Sequence, residues 1–344
     1  MGHRSLALMA GLAALVVIAL LAQAPASGQT ASPATTAKTA PGVAWTPPRT
    51  PDGRPDLQGI WGGATITPFE RRKDLGTKEF YTDEEFAALV ERVRRGDVGP
   101  EADIGNAGQQ ALRYDLSTYG FDITKAKFAS NKRTSLIVGP EGVVPPMLPE
   151  ARKRNAERAA KLKGHEFDSH TDRPLSERCI LMAHERIPMI PGPQENLLQI
   201  VQGPGYVALF HETDHSTRVI PTDGRPHIPQ NIRQYQGDSV GRWEGDTLVV
   251  DTTNFTGLSN YRGSGEKLHL VERFTHTSDG TLTYRFTVED PTTWDKPWTA
   301  EIPMTRNKGP LYEWACHEGN TMITTILRGA RVAEQEAAQK AAGK

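Results

Sequence analysis

Chemistry is most concentrated in His211-Glu212-Thr213-Asp214-His215, which matches the pattern H-E-x-x-H. On a helix that spacing puts two imidazoles on one face, within reach of one zinc ion, with the glutamate placed as general base. Here the preceding Tyr206-Val207-Ala208-Leu209-Phe210 reads as a strand, and histidines four apart on an extended chain are separated by roughly 13 Å. A zinc-dependent hydrolase through His211 and His215 is therefore a minor alternative. Glu212, His215 and Arg218 make a better constellation. His215 at a turn would be the general acid/base, Glu212 its orienter, and Arg218, opening the return strand, the partner of an anion or a developing negative oxygen. Alternation with Tyr206, Ala208 and Phe210 predicts that Glu212 leans inward. The structural alternative is a polar pin holding a hairpin in register.

Glu272 is the second candidate carboxylate. In Leu268 to His276 the apolar set is Leu268, Leu270 and Phe274, and Glu272 falls among them, while His269 and Arg273 take the other face. A carboxylate on an inner face has a raised pKa unless it is paired, which suits a general acid or base. A salt bridge to an inward Arg is the competing role. Asp223-Gly224-Arg225-Pro226-His227 is a turn by its chemistry, and Arg225 and His227 can rim a pocket from it. Of Trp243, Trp294 and Trp298, the last has core spacing and Trp294 is the candidate contact for a sugar or aromatic ring. His317 ends a predicted strand, where side chains can line a barrel mouth. No dinucleotide-binding glycine motif, P-loop or nucleophile elbow is present, so no cofactor is expected.

The elements that must position these residues follow a segment that is not part of the fold. Arg4, the charge-free apolar run Leu6 to Ala22 and the small residues Ala26-Ser27-Gly28 read as a signal peptide, residues 1–28. The product is expected to be periplasmic or secreted, with no membrane association after cleavage. In an oxidising space Cys179 and Cys316 can form one bridge, the alternatives being two separate buried thiols or a catalytic Cys316 beside His317. Residues 29–56 are rich in Pro, Ala and Thr and read as a disordered or extended arm that tethers the domain or wraps over it. Forty Lys and Arg against 41 Asp and Glu leave a net charge of −1, so no nucleic-acid partner is expected. The count of 32 Gly and 25 Pro disfavours a helical bundle.

A single domain is expected over 57–344. It divides into an irregular, partly helical elaboration (57–196), an antiparallel β core (197–320) and a C-terminal helix or tail (321–344). A first helix starts at a Thr82/Glu85 capping box and stops at Gly96. A polar helix covers 150–163, and a short strand 134–138. Period-two alternation predicts strands at 206–212, 217–220, 242–244, 247–253, 268–276, 281–289 and 298–304, then a last strand at 311–316 and a helix through 333–342. The fold class is mainly β: an antiparallel meander closing as a lipocalin/calycin-like barrel, or stacking as a sandwich.

Five runs carry a resemblance: Pro55-Asp56-Leu57-Gln58-Gly59-Ile60-Trp61, Arg133-Thr134-Ser135-Leu136-Ile137-Val138, Asp223 to His227, Trp243 to Phe255 (WEGDTLVVDTTNF) and Ala315-Cys316-His317-Glu318-Gly319-Asn320. They resemble a large group of secreted proteins abundant in Acidobacteria and other soil bacteria. The resemblance covers nearly all of the mature chain. It implies compartment and a shared fold, and it implies no reaction. Members are similar at Glu212, His215 and Arg218 but have an apolar residue in place of His211, which weighs against zinc.

The expected function is a small-molecule-binding β protein. It would act either as a cofactor-free acid/base enzyme (lyase, isomerase or hydrolase) on a carbohydrate-like or aromatic metabolite, or as a non-catalytic ligand-binding module. Catalysis requires Glu212, His215, Arg218 and Glu272 to converge on one cavity.

Overall fold

Alternating apolar and polar side chains carry nine strands into one antiparallel sheet in the computed structural model, which describes residues 45–63, 65–95, 130–181, 187–190, 197–213, 216–258 and 261–343. The signal peptide, residues 29–44, Gly96 and His215 lie outside the described residues. The strands are β1 (Gly59–Gly62), β2 (Leu197–Gly203), β3 (Tyr206–His211), β4 (Thr217–Pro221), β5 (Asp238–Glu244), β6 (Thr247–Thr253), β7 (His269–Ser278), β8 (Thr281–Glu289) and β9 (Trp298–Asn307). Their order is β4-β3-β2-β1-β9-β8-β7-β6-β5. Two meanders are thus joined where the first strand pairs with the last, Trp61 opposite Arg306. Gly245, at φ 58°, supplies the left-handed position of the tight β5–β6 turn.

Every strand turns one face to a common core that includes Trp61, Leu209, Leu248, Phe274, Tyr284 and Phe286. The sheet curls strongly enough for β4 and β7, six places apart in the order, to touch through Arg218 and Glu272. It does not close into a barrel, because no hydrogen-bond ladder joins β4 to β5. Side chains fill that seam instead. A Cβ on Gly241 of β5 would stand 2.9 Å from Ile220 Cγ2 and 3.0 Å from Thr222 Cγ2. β4 itself ends in Pro221, which has no N–H for a ladder. The expected closed barrel is therefore corrected to an open, curled sheet.

Among the described residues three α-helices lie outside the sheet: α1 (Asp83–Arg94), α2 (Pro149–Leu162) and α3 (Met322–Ala342). The capping box is present in α1, with Thr82 and Glu85 each accepting the other's backbone N–H. The polar helix α2 is pinned by Arg154 and Asn155, which both donate to Gly263 O at 3.3 Å. Helix α3 begins well before residue 333. The 134–138 segment is not a strand of the sheet, but it runs beside β9, accepting Glu301 N at Leu136 O and donating from Val138 N to Thr299 O.

Residues 311–316 form no strand either. Their preceding Gly309 adopts φ 73°, and Tyr312 N donates to a side chain, Glu212 Oε1, rather than to a neighbouring strand. Cys179 and Cys316 are bonded, with S–S 2.06 Å and Cα–Cα 5.8 Å. The bridge ties the 165–181 segment to the chain entering α3. Among the described residues no helix is long and apolar enough to cross a membrane.

The described end of the arm, residues 45–56, is extended and lies over the domain, one of the alternatives its composition allows. Gln202 donates to Pro55 O at 3.0 Å and accepts Leu57 N at 2.7 Å, and Arg49 reaches Asp246 at 2.6 Å. His276 bonds Asp56 O at 2.9 Å, and Trp45 meets the same imidazole edge-on, with centroids 4.8 Å apart. Residues 45–57 therefore lie across the strand ends. Fully buried Leu57 accounts for the anchoring that composition alone hides.

Candidate functional site

β3 and β4 place the residues of the H-E-x-x-H stretch, and they do so with the opposite parity to that expected. The inward set of β3 is Val207, Leu209 and His211, while Tyr206, Ala208 and Phe210 face outward. The two aromatics made the outward set look like the core face, whereas the smaller aliphatics fill the interior. His211, the last residue of β3, is buried. Burial and then the Arg218 charge lower its pKa to about 3, so the ring is neutral. It stands on a strand and not on the helix that a zinc motif uses, while His215 lies outside the described residues. Among the described residues no group of three His, Cys, Asp or Glu side chains is arranged to hold a metal ion.

Glu212 follows the strand. Its carboxylate accepts Leu197 N at 3.4 Å and Tyr312 N at 2.7 Å, fastening β2 to the chain beyond β9. Glu272 is fully buried on β7, as its spacing predicts, and it is fully engaged. Arg218 binds it through both terminal nitrogens, at 2.7 and 3.0 Å, and the Tyr284 hydroxyl donates to Oε1 at 2.8 Å. That hydroxyl in turn accepts Met189 N at 3.1 Å. Desolvation, followed by the Glu272 charge, raises the Tyr284 pKa and keeps it a donor. A two-pronged guanidinium and a hydroxyl leave this carboxylate little capacity to take a substrate proton. The salt-bridge alternative for Glu272 is the arrangement found. No hydrogen bond among the described residues links the Glu212 and Glu272 groups.

Arg225 and His227 are both engaged by carboxylates. Arg225 folds back on its own turn, donating to Asp223 at 2.6 to 3.1 Å, and these hydrogen bonds hold the Asp223 carboxyl at about 2. His227 instead lies over the outer face of the sheet. Its Nδ1 is 2.7 Å from Asp238 and its Nε2 3.0 Å from Asp251, and Asp251 also meets His269 Nε2 at 2.9 Å. His269 Nδ1 completes the row at 3.4 Å from Glu289. Five alternating groups thus run across β5, β6, β7 and β8, and Asn254, at φ 59°, holds the covering loop by donating to Ile228, Pro229 and Ile232 carbonyls. Both nitrogens of each imidazole face carboxylates, which leaves neither ring a free nitrogen for substrate.

This row has a pH signature. The hydrogen bond to Asp251 raises the His269 pKa, and burial only partly opposes it. A raised histidine contributes stability that is fully present below the unfolded value of about 6.5 and lost as pH rises through the folded value. Urea midpoints of the wild type should therefore fall from pH 5.5 toward pH 8 more steeply than those of His269→Gln. Parallel curves would contradict the assignment.

Trp294 is core and not a ligand contact. It is 3% exposed, edge-on to Trp298 at 5.7 Å, and bridged through its backbone to Met147. The turn Asp290-Pro291-Thr292-Thr293 forces this by bonding back on Asp290, which carries the ring inward. His317 is exposed beyond the sheet, since the strand expected to place it at a mouth is not formed.

An open cleft of about 110 Å³ lies where the arm crosses the seam end of the sheet, lined by Asp52, Arg54, Gln202, Tyr206, Thr222 and Trp243. Half-buried Trp243 packs on the core from the inward side of β5. Tyr206 is 43% exposed and folds over Gly203, where even a Cβ would stand 2.4 Å from its ring. The sequence pattern pointed to Trp294 rather than Trp243 and gave no sign of the cleft, whose walls come from four separate stretches of the chain. Comparison with protein-family models and with curated proteins returns no match for this chain.

Proposed function

We propose that the protein is a periplasmic or secreted binding protein for a small, ring-shaped polar molecule of carbohydrate-like character, held in the cleft between the arm and the β4–β5 seam. The observation that carries this reading is the cleft itself, with two aromatic side chains beside an arginine, an aspartate and a threonine. A sugar ring has apolar C–H faces and a polar rim, and it needs such a combination of flat aromatic surface and a few oriented polar groups. The binding reading is preferred over acid/base catalysis because Glu272, Arg218 and Glu212 are occupied by protein partners. Export is supported by the Cys179–Cys316 bridge, a bond that persists in oxidising compartments, together with the apolar run Leu6 to Ala22.

Thermal-shift screening of the purified protein against small carbohydrates tests it. A ligand at saturating concentration should raise the wild-type Tm, and Trp243→Ala should weaken its binding about thirty-fold, a loss of about 2 kcal/mol for a central aromatic contact. Ligands that stabilise Trp243→Ala as well as the wild type would place binding elsewhere.

A further inference from the structure

The chain contains the tetrapeptide Asp-Gly-Arg-Pro twice, at Asp52-Gly53-Arg54-Pro55 and at Asp223-Gly224-Arg225-Pro226. Both copies turn on a left-handed glycine, φ 81° at Gly53 and 83° at Gly224. Both also flank the cleft. Asp52 and Arg54 line it, and the second turn begins beside it, since Thr222 is a lining residue and a Cβ on Gly205 would lie 3.9 Å from Asp223 Cβ.

The two arginines differ in what they bind. Arg225 is neutralised within its own turn, Nη2 to Asp223 Oδ2 at 2.6 Å. In the arm copy the Thr50 hydroxyl occupies Asp52 Oδ1 at 2.5 Å, and the Arg54 guanidinium has no hydrogen-bond or ion-pair partner among the described residues. The neighbouring cations are engaged: Arg49 with Asp246, Arg242 with Glu244, and Arg306 with Gln58 O and the Trp61 ring. Gln202 is likewise spent on the arm's backbone, so it is wall and not recognition.

Resting on the binding reading above, we infer that the cleft takes a sugar acid, a hydroxylated ring bearing one carboxylate, with the free Arg54 guanidinium as the partner of the carboxylate. A fork of planar N–H donors matches a carboxylate in two-point geometry. Trp243 and Tyr206 supply the surface for the ring, and the uncommitted oxygen of Asp52 accepts from a ring hydroxyl. Asp52 repels an anion at close range, so the carboxylate lies on the Arg54 side and the hydroxyl rim on the Asp52 side. Ligand recognition thereby depends on the arm being docked, because both charged groups belong to it.

Isothermal titration of the full mature chain with methyl uronides and the matching neutral methyl hexosides tests this. Uronides should bind at least about ten-fold more tightly than their neutral counterparts, the scale of one charge-assisted contact. Arg54→Gln should abolish that preference, bringing uronide affinity down to that of the matching hexoside, and Arg225→Gln should leave the uronide-to-hexoside ratio at its wild-type value. Equal, Trp243-dependent binding of both series would overturn the sugar-acid assignment and leave the binding reading standing. Failure of both series to bind would remove the two together.

Discussion

Arg218→Ala should lower the stability of the protein by about 3–5 kcal/mol, the largest effect expected of any single surface-to-core position in this sheet. The replacement leaves Glu272, at 0% exposure, as a buried carboxylate without its counter-charge. Two charge-assisted hydrogen bonds disappear at once, and the Tyr284 hydroxyl alone cannot compensate an ionised group in an apolar interior. The cost lies mainly in the stranded charge and not in the lost attraction. The paired variant Arg218→Met with Glu272→Gln should accordingly regain more than half of it, since the amide carbonyl still accepts the Tyr284 hydroxyl and no charge remains. Urea denaturation measures both. If Arg218→Ala unfolds at the wild-type midpoint, the pair is not what holds the two sides of the sheet together.

Replacing both bridged cysteines, Cys179→Ala with Cys316→Ala, should cost about 2–5 kcal/mol. The half-cystines are 137 residues apart, and closing a loop of that length removes about 5 kcal/mol of chain entropy from the unfolded state, which sets the ceiling. The loss should concentrate where the bridge acts. Besides the bridge, the chain entering α3 is held to the 165–181 segment by contacts such as Asn320 Nδ2 on Cys179 Sγ and Arg331 on Phe167 O. Hydrogen exchange should therefore show early loss of protection in 308–343 with the sheet still protected. Uniform loss across the sheet would show that the bridge supports the core directly.

How far the fold was legible depended on how local its causes are. β6 and β8 run from Thr247 to Thr253 and from Thr281 to Glu289, the boundaries that alternation and turn chemistry predict. The capping box of α1 and the inward position of Glu272 were equally readable, because each needs only neighbours in sequence. β1 was not readable. It is four residues long, contains two glycines, and exists because β2 and β9, distant in the chain, flank it. The parity of β3 misled because Tyr206 and Phe210 are larger than the Val207 and Leu209 that form the core, and size does not decide which face an open sheet buries. Residues 311–316 alternate like a strand but pair with none of the nine, Tyr312 N bonding the Glu212 side chain instead. For the candidate site the same division holds. The charge partner of Glu272 was anticipated as a type of residue, while the cleft, made where an arm crosses a seam, has no local sequence signature.

The seam between β4 and β5 bears on how the two strand edges of the sheet are covered. A sheet of nine strands that lay open would present two strand edges whose N–H and C=O groups could template another copy. Here the edges are turned toward each other, packed through Gly241 and Ile220 and tied by Gln236 to Ser216 at 2.7 Å. Curvature therefore does the protective work that continuous hydrogen bonding does in a closed barrel. Arg218 belongs to one of those edges, so its grip on Glu272 across the interior also keeps the edge from swinging out. Whatever loosens the ion pair exposes two unsatisfied strands in the same event, which makes solubility, as much as folding, a property of one buried charge.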